Sequence, residues 1–178
     1  MTSLKIRAEE TNMQYRYIKS PIGKLLLAGN DNGLAIIGLP KGKGTVVPES
    51  TWQRSEHCFE EAERQLNEYF SGARKTFDLK LAPTGTEFQL AVLEALKRIP
   101  LGETRSYLQI AQQIERPKAV RAVGAANGRN PLPIVIPCHR VIGANGSLTG
   151  FAGGLDAKLF LLELEGIELN QTIQTPLF

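Results

Sequence analysis

Cysteine and histidine are both scarce in this chain, two of each among 178 residues, arranged as His57-Cys58 and Cys138-His139. A structural zinc site wants about four such ligands at set spacings, so this distribution gives no reason to expect a metal. A disulfide between the two cysteines is possible by arithmetic alone, and a reducing compartment argues against it. Long apolar runs are missing as well: nothing nears the roughly 20 residues that a membrane span needs. The opening run Met1-Thr2-Ser3-Leu4-Lys5-Ile6-Arg7 passes straight into polar residues without the apolar segment of a secretory signal, so a cytoplasmic protein is expected. Charge of one sign is also lacking, since a net +3 is too small to announce a polyanionic partner. What the chain has in plenty is apolar residues: at 42% they suffice for a packed core and exclude a disordered chain.

The distribution of charge says more than its sum. From Lys97 to Arg140 eight basic residues (Lys97, Arg98, Arg105, Arg116, Lys118, Arg121, Arg129, Arg140) face two acidic ones, Glu103 and Glu115. From Val141 onward Lys158 stands against Asp156, Glu163, Glu165 and Glu168. A local basic stretch suits phosphate contacts, and it suits an ordinary solvated surface equally well.

The first half reads as strand-rich. Gln14 to Lys19, Lys24 to Ala28 and Leu34 to Leu39 are short β-prone runs, parted by the turn signals Ser20-Pro21-Ile22-Gly23 and Gly29-Asn30-Asp31-Asn32-Gly33. They predict a small antiparallel meander. Lys41 to Glu49 is a loop whose Gly-Lys-Gly-Thr lacks the spacing of a phosphate-binding P-loop. A helix is expected from near Ser55, with Phe59, Ala62, Leu66, Tyr69 and Phe70 at helical spacing, and a further strand over Lys75 to Leu81. Pro83-Thr84-Gly85 then makes a linker.

The second half is mainly helical. Thr84 or Thr86 caps a helix with the apolar stripe Phe88, Val92, Leu93, Leu96 and Ile99, stopped at Pro100-Leu101-Gly102. Helices over about Ser106 to Ile114 and Lys118 to Gly128 follow, separated by Glu115-Arg116-Pro117. Within the basic stretch this pair fits a helix-turn-helix, and the pattern alone fits a plain helical hairpin too. The second helix offers Ala119, Ala122, Gly124, Ala125 and Ala126 beside Arg121. Small residues allow close approach to DNA but read little sequence.

Three prolines constrain the backbone ahead of one thiol in Asn130-Pro131-Leu132-Pro133-Ile134-Val135-Ile136-Pro137-Cys138. A free thiol is mostly protonated at neutral pH, so a nucleophilic cysteine needs a base or a positive environment. His139 is the only histidine in this half, and Glu165 is placed to orient it. The competing reading is an inert buried thiol beside a core histidine. After the thiol come the turn signal Gly143-Ala144-Asn145-Gly146, the Gly-rich loop Gly150-Phe151-Ala152-Gly153-Gly154, and a terminal helix with Leu155, Leu159, Leu162 and Leu164.

Phe88 to Gly166 resembles the C-terminal domain of the O6-alkylguanine-DNA alkyltransferase (methylated-DNA–protein-cysteine methyltransferase) family. The matching text is Ile99-Pro100-x-Gly102-x-Thr104-x-Ser106-Tyr107, Arg121-Ala122-Val123-Gly124, Asn130-Pro131, Ile136-Pro137-Cys138-His139-Arg140-Val141-Ile142 and Leu161-Leu162-x-x-Glu165-Gly166. Ser20 to Ala28 resembles the family's N-terminal module more weakly. The resemblance implies an α+β fold: a small antiparallel-sheet domain of ribonuclease H-like type over 1–83, then a mainly helical winged-helix or helix-turn-helix domain over 84–178.

It also implies a function, stoichiometric alkyl transfer from O6-alkylguanine, and from O4-alkylthymine, in double-stranded DNA. Cys138 becomes the acceptor, His139 and Glu165 are linked to it through water, Tyr107 protonates the departing guanine, and Asn130 braces the turn. Arg121 replaces an extruded base, which must leave the duplex for its O6 substituent to be reached. Thr104, Ser106, Ala122, Ala125, Ala126, Asn127, Gly128 and Arg129 complete the DNA surface. Pro133, Val141, Phe151, Ala152, Gly153 and Lys158 surround the alkyl pocket. No cofactor and no metal is implied, and the protein acts as a monomer. The chain departs from the family pattern at Leu93, where Trp is common, at Phe151, where Tyr is common, and in Ile114-Glu115-Arg116-Pro117, where the turn usually holds Gly. A lesion-binding module that leaves DNA unrepaired, and a cysteine hydrolase built on Cys138, His139 and Glu165, are the alternatives.

Overall fold

The strand-prone runs of the first half pair as their turns dictate. In the computed structural model, which describes residues 12–169, β1 (Gln14–Ile18), β2 (Leu25–Asn30) and β3 (Gly33–Gly38) form an antiparallel meander. The reading of Met1 to Arg7 lies outside the described residues. A two-residue strand not expected from the sequence, β4 (Gln53–Arg54), pairs parallel to β1, giving the sheet order β3-β2-β1-β4. Two residues of polar sequence carry no periodicity, so only the fold reveals them. β2 is buried throughout on Leu25, Leu26, Leu27 and Ala28, and α1 (Glu60–Phe70) lays Ala62, Leu66 and Tyr69 into the same core.

Two expectations for this half need correction. The first helix begins at Glu60, not near Ser55, because Phe59 takes a left-handed backbone with φ 57° and interrupts helical geometry. Lys75 to Leu81 is not a strand. It touches the sheet edge only around Leu81, where Leu34 N donates to Lys80 O (2.9 Å) and Ala82 N to Leu34 O (2.8 Å).

The second half is a helical unit with one short ribbon. Thr86, not Thr84, caps α2 (Glu87–Lys97) in a reciprocal capping box with Gln89. Val92, Leu93, Ala95 and Leu96 are buried, so Leu93 serves packing. Ser106 and Gln109 form a second capping box at the start of α3 (Tyr107–Gln113). The turn then leads into α4 (Val120–Gly128), so both helices are a residue or two shorter than their periodicity suggested. β5 (Arg105–Ser106) pairs parallel with β6 (Val141–Ile142), and α5 (Leu155–Leu164) closes the described chain. On α5 Leu155 is exposed, contrary to its expected place on the apolar stripe, while Leu161 and Leu162 are buried. One apolar cluster runs without a break from Ile18 and Leu25 through Tyr69 and Leu96 to Ile136 and Leu161. Among the described helices none is long and apolar enough to cross a membrane.

Candidate active site

The proline-framed segment forms no strand, because proline supplies no ladder donor and fixes φ. It folds into consecutive turns that seat the thiol. Ile136 N donates to Leu132 O (2.9 Å) and Cys138 N donates to Ile136 O (2.8 Å). The latter bond closes a three-residue inverse γ-turn around Pro137, whose φ of −81° and ψ of 64° lie at that turn's minimum. A proline ring presets this φ. Ile134 holds φ 76°, a left-handed value rare for a β-branched residue and worth about 1–3 kcal/mol of strain.

Asn130 sets the segment from inside. Its Nδ2 donates to Ile136 O (2.8 Å) and its Oδ1 accepts from Leu132 N (3.0 Å). Asn127, on the buried side of α4, donates from Nδ2 to Cys138 O (3.4 Å). The helix-turn-helix is thus hydrogen-bonded directly to the residue that carries the thiol.

Cys138 opens a 3-10 turn, Cys138–Arg140, and all three residues are buried. Both cysteines are free; Cys58 sits away from this site and donates to Ser55 O (3.1 Å). Burial raises the Cys138 pKa, opposed by a hydrogen bond from Asn130, the charge of Lys158 and nearby backbone amides. At rest it is therefore a thiol.

His139 is fully buried and donates from Nε2 to Glu165 Oε1 (2.8 Å), leaving the basic lone pair on Nδ1. That nitrogen has no hydrogen-bond partner among the described residues. Burial lowers the His139 pKa against the pull of Glu165, so the ring is neutral at pH 7. Burial would raise the Glu165 carboxyl, but hydrogen bonds from His139 and Arg140 prevail and hold it down at about 2.

Sequence reasoning found Glu165 but missed most of its donors. Arg140 grips it with both Nε and Nη2 (2.8 Å each) and donates from Nη1 to Ile99 O (2.6 Å). Tyr69, from α1 of the first half, adds a bond from its hydroxyl to Oε1 (2.7 Å). The position of Arg140 inside the Cys-His motif was the available signal; Tyr69, 96 residues away, left none.

Lys158 is 0% exposed. Its Nζ donates to Val141 O (2.6 Å), Thr149 O (3.0 Å) and Gly150 O (3.4 Å), clamping the loop after the thiol. Burial lowers its pKa to about 8. Pro133, Val141 and Gly153 are buried around the same region, with Phe151 and Ala152 half-buried. Ala152 and Gly153 meet the first half: Ala152 O accepts from Gly44 N (2.9 Å). A Cβ on Gly42, whose φ is +82°, would lie 2.4 Å from Ala152 O, so only glycine permits this approach. The Gly-Lys-Gly loop thus serves as a clamp on the Gly-rich loop. Tyr107 reaches Thr149, with 2.8 Å between hydroxyl and Oγ1.

On α4 the exposed positions are Arg121, Ala122, Ala125 and Gly128, with Arg129 just beyond, while Thr104 and Ser106 are half-buried. Ala126 and Asn127, expected beside them on the DNA surface, point inward instead and are 5% and 6% exposed. Helical periodicity separates the two sets, since 126 and 127 lie on the opposite face from 121, 125 and 128.

Fold and site define a two-module α+β protein whose helix-turn-helix buttresses a buried thiol beside a histidine–glutamate pair. Two family models match it: the ribonuclease-like domain of 6-O-methylguanine DNA methyltransferase over residues 13–83, and the DNA-binding domain of the same family over residues 87–167. The methylated-DNA–protein-cysteine methyltransferase of Methanosarcina acetivorans is 58% identical over 154 residues, which cover 86% of this chain and 99% of that protein. Its namesake in Mycobacterium tuberculosis is 51% identical over 86% of this chain and 92% of its own length. The crystal structure of Mycobacterium tuberculosis OGT in complex with DNA superposes with a TM-score of 0.80 at 49% identity, covering 85% of this chain and 92% of that one. The chain belongs to the 6-O-methylguanine DNA methyltransferase family.

Proposed function

We propose that this chain repairs double-stranded DNA by moving the alkyl group of O6-alkylguanine, and of O4-alkylthymine, onto Cys138, once per molecule. Family membership supports the class of reaction. The observation that carries the assignment to residues is the buried Cys138 in its proline-set turn, followed by a neutral His139 held by the Glu165 carboxylate, with Lys158 nearby. The thiol proton passes toward Nδ1 of His139 through water, and Glu165 steadies the resulting imidazolium. Sγ then attacks the alkyl carbon; the S–C bond forms, the C–O6 bond breaks, and its electron pair stays on guanine. Tyr107 supplies the proton that makes the base a neutral leaving group. A thioether offers no easy route back, so the protein is consumed.

The target base must leave the stack to reach a buried thiol. Arg121, on the exposed face of α4, fills the space it vacates, while Ala122, Ala125 and Gly128 let the helix lie close to the backbone. Thr104, Ser106 and Arg129 flank that face. Pro133, Val141, Phe151, Ala152, Gly153 and Lys158 enclose the alkyl group. We take the boundary between the two domains at 83/84 and the protein as a monomer.

The test is incubation with duplex DNA carrying O6-methylguanine, followed by intact mass and peptide mapping. A single methyl on Cys138, absent in Cys138→Ala, is expected. Unmodified protein with bound, unrepaired DNA would instead identify a lesion sensor, and repeated turnover would identify a hydrolase.

A further inference from the structure

The first half of the chain contributes a side chain to the hydrogen-bond network of the reactive centre. Tyr69 lies on α1, beside the sheet, 2% exposed, with its ring packed against Phe70 and Phe77 at 5.4 Å between centroids in each case. Its hydroxyl extends out of this apolar setting and donates to Oε1 of Glu165 at 2.7 Å. That oxygen also accepts from His139 Nε2 and from Arg140 Nη2, both at 2.8 Å. Three donors on one carboxylate oxygen compete for the same charge, so the strength of each bond depends on the others.

Resting on the functional reading above, we propose that Tyr69 is a positioning residue for alkyl transfer: by holding Glu165 and taking a share of its charge, it lets the N-terminal module set the orientation and basicity of His139. The charged and titratable groups acting on His139 are Glu165 at the end of α5, Arg140 in its own 3-10 turn, beside Cys138, and Lys158 on α5; among the described residues the first half reaches this set through Tyr69, by its bond to Glu165. Two further bonds hold the module to the site's backbone, Ile37 N to Pro131 O (2.8 Å) and Gly44 N to Ala152 O (2.9 Å). These hold loops in place, whereas the Tyr69 bond reaches the carboxylate that steadies the base.

The sign of the effect follows from the competition. Removing the hydroxyl returns charge to the carboxylate, which tightens the bond from His139 Nε2 and favours the imidazolium. In Tyr69→Phe the acid limb of the transfer rate, measured on the full chain with free O6-benzylguanine, should move up by roughly half a pH unit. The chain's two histidines make a direct readout possible. Ring NMR signals of His139 at neutral pH should shift in Tyr69→Phe, while those of exposed His57 stay put as an internal reference and an unchanged circular dichroism spectrum shows a folded protein. Phe77→Leu controls for packing: it loosens the ring's surroundings but keeps the hydroxyl, and His139 should not move. An unmoved His139 signal in Tyr69→Phe, or an equal shift in Phe77→Leu, overturns the proposal. If the wild-type protein leaves Cys138 unalkylated, the functional reading fails, and the NMR comparison still decides whether Tyr69 acts on His139.

Discussion

Lys158 is the residue whose chemistry is most at odds with its place. A lysine with no exposed surface is rare unless its ammonium is fully satisfied; here three backbone carbonyls accept from it. Those carbonyls belong to β6 and to the loop before Phe151, so one side chain ties α5 to both walls near the thiol. Its charge also lowers the cost of forming a thiolate at Cys138. Replacing it with methionine keeps the apolar stem and strands three acceptors. Lys158→Met is expected to lose about 2–4 kcal/mol of stability in denaturant titration and to slow alkyl transfer. Full stability with unchanged rate would mean that the loop holds itself.

At the scale of elements, the helix-turn-helix carries a local conflict. Glu115 sits between α3 and α4 with φ 59°, where glycine is the residue of least strain. Glu115 N donates to Gln112 O (3.0 Å) and Arg116 N to Ala111 O (2.8 Å), the paired bonds of a Schellman motif. The turn therefore keeps its geometry without the usual glycine, held by these two bonds and anchored on Ile110 and Ala111, both 0% exposed. Glu115→Gly should raise stability by about 0.5–1 kcal/mol, read as a higher thermal midpoint. A decrease would show that the left-handed conformation costs this glutamate little.

At the scale of the molecule, buried titratable groups couple stability to pH with a definite sign. Both His139 and Glu165 have folded pKa values below their ordinary 6.5 and 4.5. A depressed folded value means that stability is fully present above the ordinary pKa and is lost as pH falls toward the folded one. The loss begins below about pH 6.5 through His139 and continues from about 4.5 down to about 2 through Glu165. Thermal midpoints at pH 7, 5.5 and 4 should fall in that order. A flat profile would contradict the buried neutral imidazole. Since Tyr69 joins first half to second through the Glu165 carboxylate, which Arg140 also holds and which stays ionised down to about pH 2, this junction should be among the last to loosen in acid, which hydrogen exchange at Glu165 and its neighbours can follow.

Much of this architecture was legible along the chain. Short β-prone runs and turn chemistry located β1 to β3; a threonine at 84 or 86 and a start near Ser106 marked two helix beginnings; the proline frame singled out Cys138. These are local signals, set by interactions within a few residues. What escaped was non-local. β4 exists only because β1 offers it an edge, and Phe59 breaks α1 through a conformation its neighbours do not announce. The inward turn of Ala126 and Asn127 was legible only once the helix phase was set by packing. The bonds from Arg140 and Tyr69 to Glu165 join residues 25 and 96 apart, and no spacing rule predicts such pairs. Local chain chemistry sets one thiol apart and fixes which residues stand near it along the chain. Which groups meet around Glu165 is settled by long-range packing, because burying a carboxylate requires donors from wherever the chain can bring them.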